Sequence, residues 1–115
     1  MVSFEEFWDK LKKELMTGTK NNEDKRWYWI IPKWSIAEGV RGELSCRYDG
    51  GDTVHFKTAN ERWVGADRTE FETLYKEWDE YSKNKVERAW LSRDLHLRRT
   101  SYTIPTLKHF ERLMR

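Results

Sequence analysis

Residues 44–58 read LSCRYDGGDTVHFKT, and this stretch predicts a β-hairpin. Apolar and polar side chains alternate on both sides of its centre, which is the pattern of a strand with one buried face. The central DGGD supplies aspartate and glycine, the residues that tight turns favour. The apolar positions are Leu44, Cys46 and Tyr48 before the turn and Val54 and Phe56 after it. We therefore expect two antiparallel strands joined by a short turn.

One further strand is predicted on each side of the hairpin. Residues 26–36 read RWYWIIPKWSI and are rich in aromatic and β-branched side chains, which suit a pleated surface. Pro32 cannot donate a hydrogen bond to a strand ladder, so it indicates a sheet edge or a bulge. A turn containing Gly39 and Gly42 would lead into the hairpin, and residues 62–64 would add a short fourth strand. Together these segments predict a small antiparallel sheet.

An amphipathic helix is predicted before the sheet. Ser3 and Glu6 form a capping box, in which each side chain satisfies a backbone N–H left free at a helix start. Apolar residues then recur at spacings of three and four over residues 4–15. We expect this helix to end near residues 17–18, where glycine accepts a left-handed turn, and the polar residues 19–25 to form a loop.

A second amphipathic helix is predicted after the sheet. Thr69 and Glu72 form another capping box, and apolar residues recur with helical spacing over residues 71–81. The outer side of this helix is predominantly acidic, so the apolar side is expected to pack on the sheet.

The last thirty residues predict a pair of helices. Two apolar groupings, in residues 86–95 and 104–114, are separated by a polar stretch, and Thr103 is the expected cap of the second helix, with Pro105 in its first turn. Strands flanked by helices are typical of the α+β class. We expect one α+β domain over residues 1–115, with N-terminal and central amphipathic helices packed on a small antiparallel sheet and a C-terminal helical pair.

Aromatic residues are the most distinctive part of the composition. The chain has seven Trp, five Tyr and five Phe, although 37% of its residues are charged and its mean hydropathy is −0.98. Aromatic rings must therefore build much of the core, since each buries roughly 150–250 Å². We expect more rings than a single copy can bury, and exposed rings commonly mark subunit contacts or ligand pockets.

The rings of the first strand are the candidate interface or pocket residues. Trp27 and Trp29 should share one face of this strand with Ile31, while Tyr28 should share the other with Ile30, because side chains alternate along a strand. The tentative interface or pocket residues are Trp27, Tyr28, Trp29 and Trp34. They support a homo-oligomer that forms through aromatic surface. The alternative is a small-ligand-binding protein or an enzyme with an aromatic-lined pocket.

Basic charge is concentrated near the C-terminal end. Lys and Arg total 22 against 20 acids, but residues 86–115 carry seven Lys or Arg against three acids. The helical pair resembles a helix-turn-helix or winged-helix reader, in which the second helix meets base edges while nearby cations hold phosphates. The tentative nucleic-acid-binding residues are Arg98, Arg99, Thr100, Ser101, Thr103, Lys108, His109 and Arg112. The alternative is a solvated basic face.

No catalytic or metal signature stands out, so a non-enzymatic binding module without a cofactor is expected. The three histidines are isolated in sequence, and His55 would act as a general base only if a carboxylate from another segment reached it. Cys46 is expected to be buried and unreactive. A single cysteine and an acidic N-terminal segment favour the cytoplasm, and the longest apolar stretch, residues 27–32, is too short to span a membrane.

The Gly-Gly hairpin, the Trp-containing central helix and the stretch of residues 101–105, SYTIP, carry a resemblance. In this pattern the chain is similar to small uncharacterised proteins of bacterial mobile gene cassettes or defence loci. The resemblance implies a stand-alone α+β protein without a known activity.

Overall fold

The four strands of the sheet lie side by side in the order in which they occur in the chain. The computed structural model describes residues 1–20 and 28–115. Its helices are α1 (Phe4–Lys20), α2 (Arg68–Ser82), α3 (Arg88–Arg93) and α4 (Thr100–His109), followed by a 3₁₀ helix at Glu111–Met114. Its strands are β1 (Trp29–Ser35), β2 (Gly39–Arg47), β3 (Thr53–Lys57) and β4 (Trp63–Asp67), which pair antiparallel in the order β1-β2-β3-β4. The predicted α+β class is confirmed.

The predicted hairpin is present as β2 and β3. Cys46 lies opposite Phe56 in the ladder, and both side chains are fully buried. The turn is closed by the Tyr48 hydroxyl, which donates a hydrogen bond of 2.7 Å to the carbonyl oxygen of Gly51. Local alternation therefore gave the correct strands and the correct buried face.

The strand that precedes the hairpin is irregular where the sequence predicts it. The register of β1 against β2 shifts between Pro32 and Trp34, and β1 is an outer strand, so Pro32 lies at both an edge and a bulge. The prediction that Gly39 and Gly42 form the following turn is wrong. Residues 36–38 make the turn, and both glycines lie in β2 with φ of 68° and 86°.

The helices cover one face of the sheet. The buried strand residues contact rings of the helices: Phe56 lies 6.4 Å from the buried Phe71 of α2 and 5.4 Å from the half-buried Tyr102 of α4, measured between ring centroids. Trp29 is 5.4 Å from Phe110, directly after α4. The core is thus a layer of rings and aliphatic side chains between the sheet and α1, α2 and α4.

The start of α1 agrees with the sequence, whereas the start of α2 does not. Ser3 Oγ accepts a hydrogen bond of 3.2 Å from the backbone N–H of Glu6. The helix runs to Lys20, past the expected end, and residues 21–25 of the predicted loop lie outside the described residues. The capping box at Thr69 is wrong, because α2 follows β4 without a loop and Asp67 is its N-cap residue.

The last α-helix also begins earlier than the sequence predicts. It starts at Thr100, so Thr103 is not its cap; the Thr103 hydroxyl instead donates to the Arg99 carbonyl at 3.1 Å. Pro105 lies in the second turn, where its missing N–H leaves the Ser101 carbonyl without a helical partner. Six of the ten residues of α4 are buried, so this helix is mainly part of the core.

The six tryptophans in the described part of the chain differ in exposure. Trp8 and Trp78 are each 2% exposed and belong to the core. The other four are partly exposed: Trp29, Trp34, Trp63 and Trp90. Trp27 lies outside the described residues. A single copy therefore leaves several indole rings within reach of a partner or a ligand.

Candidate binding surfaces

The second face of the sheet carries partly exposed side chains. We call it the open face, because the ring contacts between helices and sheet in the described part of the chain involve the opposite face. Strand register sets its membership, since residues that pair across a ladder share a face. The open face includes Tyr28, Ile30, Ser45, Arg47, His55, Lys57, Trp63 and Gly65, and the same register places Pro32, Glu43, Thr53 and Asp67 on it toward the strand ends.

Two rings from opposite edges of the sheet meet on the open face. Tyr28 precedes β1 and Trp63 begins β4, yet their ring centroids are 5.6 Å apart at an interplanar angle of 63°. Because β1 and β4 are the outer strands and neighbouring strands are about 4.8 Å apart, both rings must reach inward across the sheet. The result is an aromatic patch over the middle strands.

Each ring of this pair has a cation beside it. The guanidinium carbon of Arg47 lies 4.4 Å from the Trp63 ring centroid, and Lys57 Nζ lies 5.9 Å from that of Tyr28. Such contacts contribute about 0.5–1 kcal/mol at exposed sites. Each cation also has an acidic partner, at 2.8 Å for Asp49 with Arg47 and at 3.2 Å for Glu61 with Lys57. The two carboxylates are exposed while the two cations are half-buried, and ion pairs near the surface contribute about 0–1 kcal/mol.

A histidine and a glycine complete the middle of the open face. His55 lies on β3, and its Nδ1 is buried without a hydrogen-bond partner among the described residues. Gly65 lies opposite His55 in the β3–β4 ladder. A Cβ atom at position 65 would come within 2.7 Å of Thr53 Cγ2 and 3.6 Å of the His55 ring, so only glycine fits here without a shift of its neighbours.

One of the predicted nucleic-acid-binding residues, Arg99, contacts the β4 edge of this face, and Arg98 precedes it in the chain. Arg99 Nε donates a hydrogen bond of 3.3 Å to the carbonyl oxygen of Gly65. The backbone N–H groups of Arg98 and Arg99 donate to the two carboxylate oxygens of Glu70, at 2.8 and 3.0 Å. Glu70 on α2 therefore fixes the segment that leads into α4 against the sheet edge.

The other predicted nucleic-acid-binding residues are divided between two places. Thr100 and Ser101 are the first residues of α4, and Thr103 is fully buried within it. The remaining three lie at the far end of α4 or beyond it. These are Lys108, which lies 4.8 Å from the Trp34 ring and 3.6 Å from Glu111; His109; and Arg112, which pairs with Glu14 of α1. The structure thus does not bring the eight residues into one patch.

The environment of His109 disfavours its charged form. Burial is the main cause that lowers its pKa, and the charge of Arg112 lowers it further, while Glu14 acts in the opposite direction. Its ring packs against Phe110 at 4.8 Å and Trp29 at 6.4 Å. His109 is therefore placed as a neutral packing residue.

The structure also places the predicted interface rings on different sides of the sheet. Tyr28 lies on the open face together with Ile30, as expected from the alternation of side chains along the strand. Trp29 lies on the helix side, where its Nε1 donates to the Leu15 carbonyl at 3.0 Å. Trp34 packs against Trp78 of α2, 6.3 Å between ring centroids. Trp27 lies outside the described residues.

The side chains that complete the aromatic patch are not among the residues predicted from the sequence. Trp63, Arg47 and Lys57 belong to three different strands, and only strand register brings them together. The available signal was their alternation with buried residues, because Arg47 flanks Cys46 and Lys57 flanks Phe56. Those positions must face away from the core.

The chemistry of a reactive or metal site is not evident in the described part of the chain. Burial raises the pKa of the Cys46 thiol to about 12, which leaves almost no thiolate at neutral pH. Among residues 1–20 and 28–115, no group of three His, Cys, Asp or Glu side chains is placed to hold a metal ion. Within the same residues, no helix has the length and apolarity needed to cross a membrane.

Comparison with known proteins gives no relative: no protein-family model matches the chain, and no curated protein or solved structure matches it. The resemblance to proteins of mobile gene cassettes or defence loci therefore stays a prediction.

Proposed function

We propose that this protein is a non-enzymatic binding module whose open face binds single-stranded nucleic acid. The observation that carries the proposal is the contact between Tyr28 and Trp63 on a sheet face, with Arg47 and Lys57 beside the two rings. Flat rings on a sheet stack with unpaired bases, and cations around them hold the phosphates. A four-stranded sheet with helices on the other face keeps such rings rigidly in place.

The charge around the patch supports a polyanionic partner. Arg47 and Lys57 lie on the open face, Arg99 is bonded to its β4 edge, and Arg62 is the exposed residue before Trp63. Asp49 and Glu61 balance the first two only through exposed ion pairs. Replacing those carboxylates with phosphates costs little, because such pairs contribute about 0–1 kcal/mol.

The burial of α4 favours the sheet over the helical pair as the binding surface. A recognition helix needs a free face that enters the major groove. Six residues of α4 are buried, and α3 has only six residues. The basic C-terminal residues contribute to the proposed surface through Arg99, which is bonded to the β4 edge.

Titration of a labelled single-stranded oligonucleotide of about ten nucleotides tests the proposal, since this length falls within the range of known single-strand sites. Trp63→Ala is expected to weaken binding by about fivefold or more, because stacking on one ring contributes about 1–3 kcal/mol. Fluorescence anisotropy measures the affinity. Trp90→Ala is the matched control, since Trp90 is partly exposed but lies on α3. Equal loss in both variants would contradict the proposal.

The same titrations at rising salt test the charge contribution. Affinity should fall with salt, and Arg99→Ala should reduce the slope by about one contact. Arg112→Ala should leave it unchanged, because Arg112 pairs with Glu14 away from the open face. Affinity that does not depend on salt would exclude phosphate contacts.

The same half-exposed rings favour a second candidate function, self-association. Two copies that meet through their open faces would bury Tyr28 and Trp63 against each other. Both functions use one surface, so nucleic acid and a second copy would compete for it. One observation supports the alternative of a small-ligand-binding protein. Trp34 lines a cavity of about 330 Å³, although charged and hydroxyl-bearing side chains form most of its other walls.

A further inference from the structure

The cavity beside Trp34 lies where three segments of the chain meet. Its walls come from the β1–β2 hairpin and its turn, from the start of α3 and from the first two turns of α4, and its volume is about 330 Å³. This volume lies at the lower end of the range for small-molecule sites. We call it the basic cavity and define it by Lys33, Ser35, Arg41, Arg88, Thr100 and Ser101.

The lining of the basic cavity has an excess of positive charge. Lys33, Arg41 and Arg88 contribute three cations, and Glu38 is the one acid among the lining residues. Glu38 lies 3.8 Å from Arg41, in an exposed pair. Neither Lys33 nor Arg88 has a carboxylate within ion-pair distance among the described residues. Glu38 pairs with Arg41 and not with these two cations, so three cations and one acid leave the described lining with a net positive charge.

Arg88 also orients two hydroxyl groups by donating a hydrogen bond to each. Its Nε donates to Thr100 Oγ1 at 3.3 Å, and one terminal nitrogen donates to Ser101 Oγ at 2.8 Å. Both hydroxyls act as acceptors in these bonds, so each still has a proton to donate. Neither finds an acceptor for that proton among the described residues, although Thr100 is only 6% exposed. A hydrogen-bond acceptor in the cavity would satisfy both.

We propose that the basic cavity binds the phosphate group of a small phosphorylated ligand or of a nucleic-acid 5′ end. A phosphate presents several acceptor oxygens and negative charge, which matches the cations Lys33 and Arg88 and the hydroxyl donors Thr100 and Ser101. Guanidinium groups bind phosphate through parallel hydrogen bonds, and a helix start adds a favourable field. Trp34 forms one wall, against which the organic part of the ligand lies. This proposal does not depend on the open face.

NMR titration of the ¹⁵N-labelled protein with inorganic phosphate tests the site. We expect the amide resonances of Thr100 and Ser101 to shift on addition of phosphate at constant ionic strength, whereas chloride should leave them in place. Arg88→Ala should weaken phosphate binding by at least about tenfold, the loss of one charge-assisted hydrogen bond. Arg93→Ala is the matched control, because Arg93 lies on the same helix with its side chain 75% exposed.

A second variant covers the case in which Arg88→Ala does not fold. Lys33 is exposed at the bulge of β1, so Lys33→Ala should fold normally and still weaken phosphate binding several-fold. No resonance shift with phosphate in the wild-type protein, or equal affinity in Lys33→Ala and the wild type, would overturn the proposal.

Two further arms identify the source of the phosphate. A nucleoside 5′-monophosphate represents the small ligand, and a 5′-phosphorylated oligonucleotide, compared with its 5′-hydroxyl form, represents the strand end. If the nucleoside 5′-monophosphate binds more tightly than the 5′-phosphorylated oligonucleotide, the ligand is a small molecule. If the phosphorylated oligonucleotide binds more tightly than both the monophosphate and its own 5′-hydroxyl form, the ligand is a strand end. Trp63→Ala should retain the phosphate response even if it loses oligonucleotide binding. The two proposals can thus fail separately.

Discussion

Cys46 shows how burial alone sets the chemistry of one residue. It lies on β2 against Phe56, is fully buried, and has a pKa raised to about 12 by burial. An exposed thiol titrates at about 8.5, so the thiol of the unfolded chain loses its proton well before that of the folded chain. The side chain therefore behaves as a small apolar group at neutral pH, as the alternating sequence predicted.

The raised pKa of Cys46 predicts a loss of stability at alkaline pH. Stability from the neutral thiol is complete below about pH 8.5 and falls as pH rises toward 12, because only the unfolded chain releases the proton in that window. The free energy of unfolding should fall by roughly 2–3 kcal/mol between pH 8 and 10.5 from this residue alone. Urea denaturation at the two pH values measures it.

The control for this experiment is Cys46→Ala, which removes the thiol. Burial also raises the pKa values of Tyr75 and Tyr81, so part of the alkaline loss should remain in the variant. An identical pH dependence in the variant and the wild type would show that the thiol does not contribute.

At the scale of secondary-structure elements, the sequence predicted what local patterns determine. The hairpin of β2 and β3 and the start of α1 follow from alternation and a capping box within a few residues. The start of α2 depends instead on a distant group, since the backbone N–H of Arg68 donates to the Asp52 carbonyl at 2.7 Å. A bond from another segment replaces the side-chain cap that Thr69 was expected to provide.

The start of α4 is also held by another element, which gives a stability prediction. Glu70 accepts two backbone hydrogen bonds from Arg98 and Arg99. Glu70→Ala should lower the free energy of unfolding by about 1–3 kcal/mol, because the exposed N–H of Arg98 and the half-buried N–H of Arg99 lose a charged acceptor. Thermal or urea denaturation measures it. Glu72→Ala is the matched control on α2, since the 3.8 Å pair of Glu72 with Lys76 should contribute less than about 0.5 kcal/mol.

The candidate sites were harder to predict than the elements that carry them. Tyr28 meets Trp63 only after four strands are in register, and Arg88 meets Thr100 only after α3 has folded back on α4. The sequence located basic charge near Arg99 and aromatic excess near Tyr28, but not their positions relative to each other. Spatial proximity of distant segments is not encoded in any local spacing.

At the scale of the whole molecule, the aromatic surface leads to a prediction about the oligomeric state. Self-association through the open face predicts a mass near twice 14.1 kDa. Light scattering over a range of concentrations measures this mass. Trp63→Ala should shift a dimer toward the monomer, whereas Trp90→Ala should not. A mass of one copy at all concentrations would exclude self-association and leave the open face free for nucleic acid.

The strand order has a consequence for how the molecule folds. Each strand pairs with its neighbour in the chain, so no strand has to wait for a distant segment before the sheet forms. Short-range closure is fast because little chain entropy is lost in bringing nearby segments together. We therefore expect the β1–β2 hairpin to form first, because its connection, residues 36–38, is the shortest in the sheet, and β3 and β4 to add to it in turn. Contacts of α1 with the 3₁₀ helix join the two ends of the sequence, and we expect them to form last.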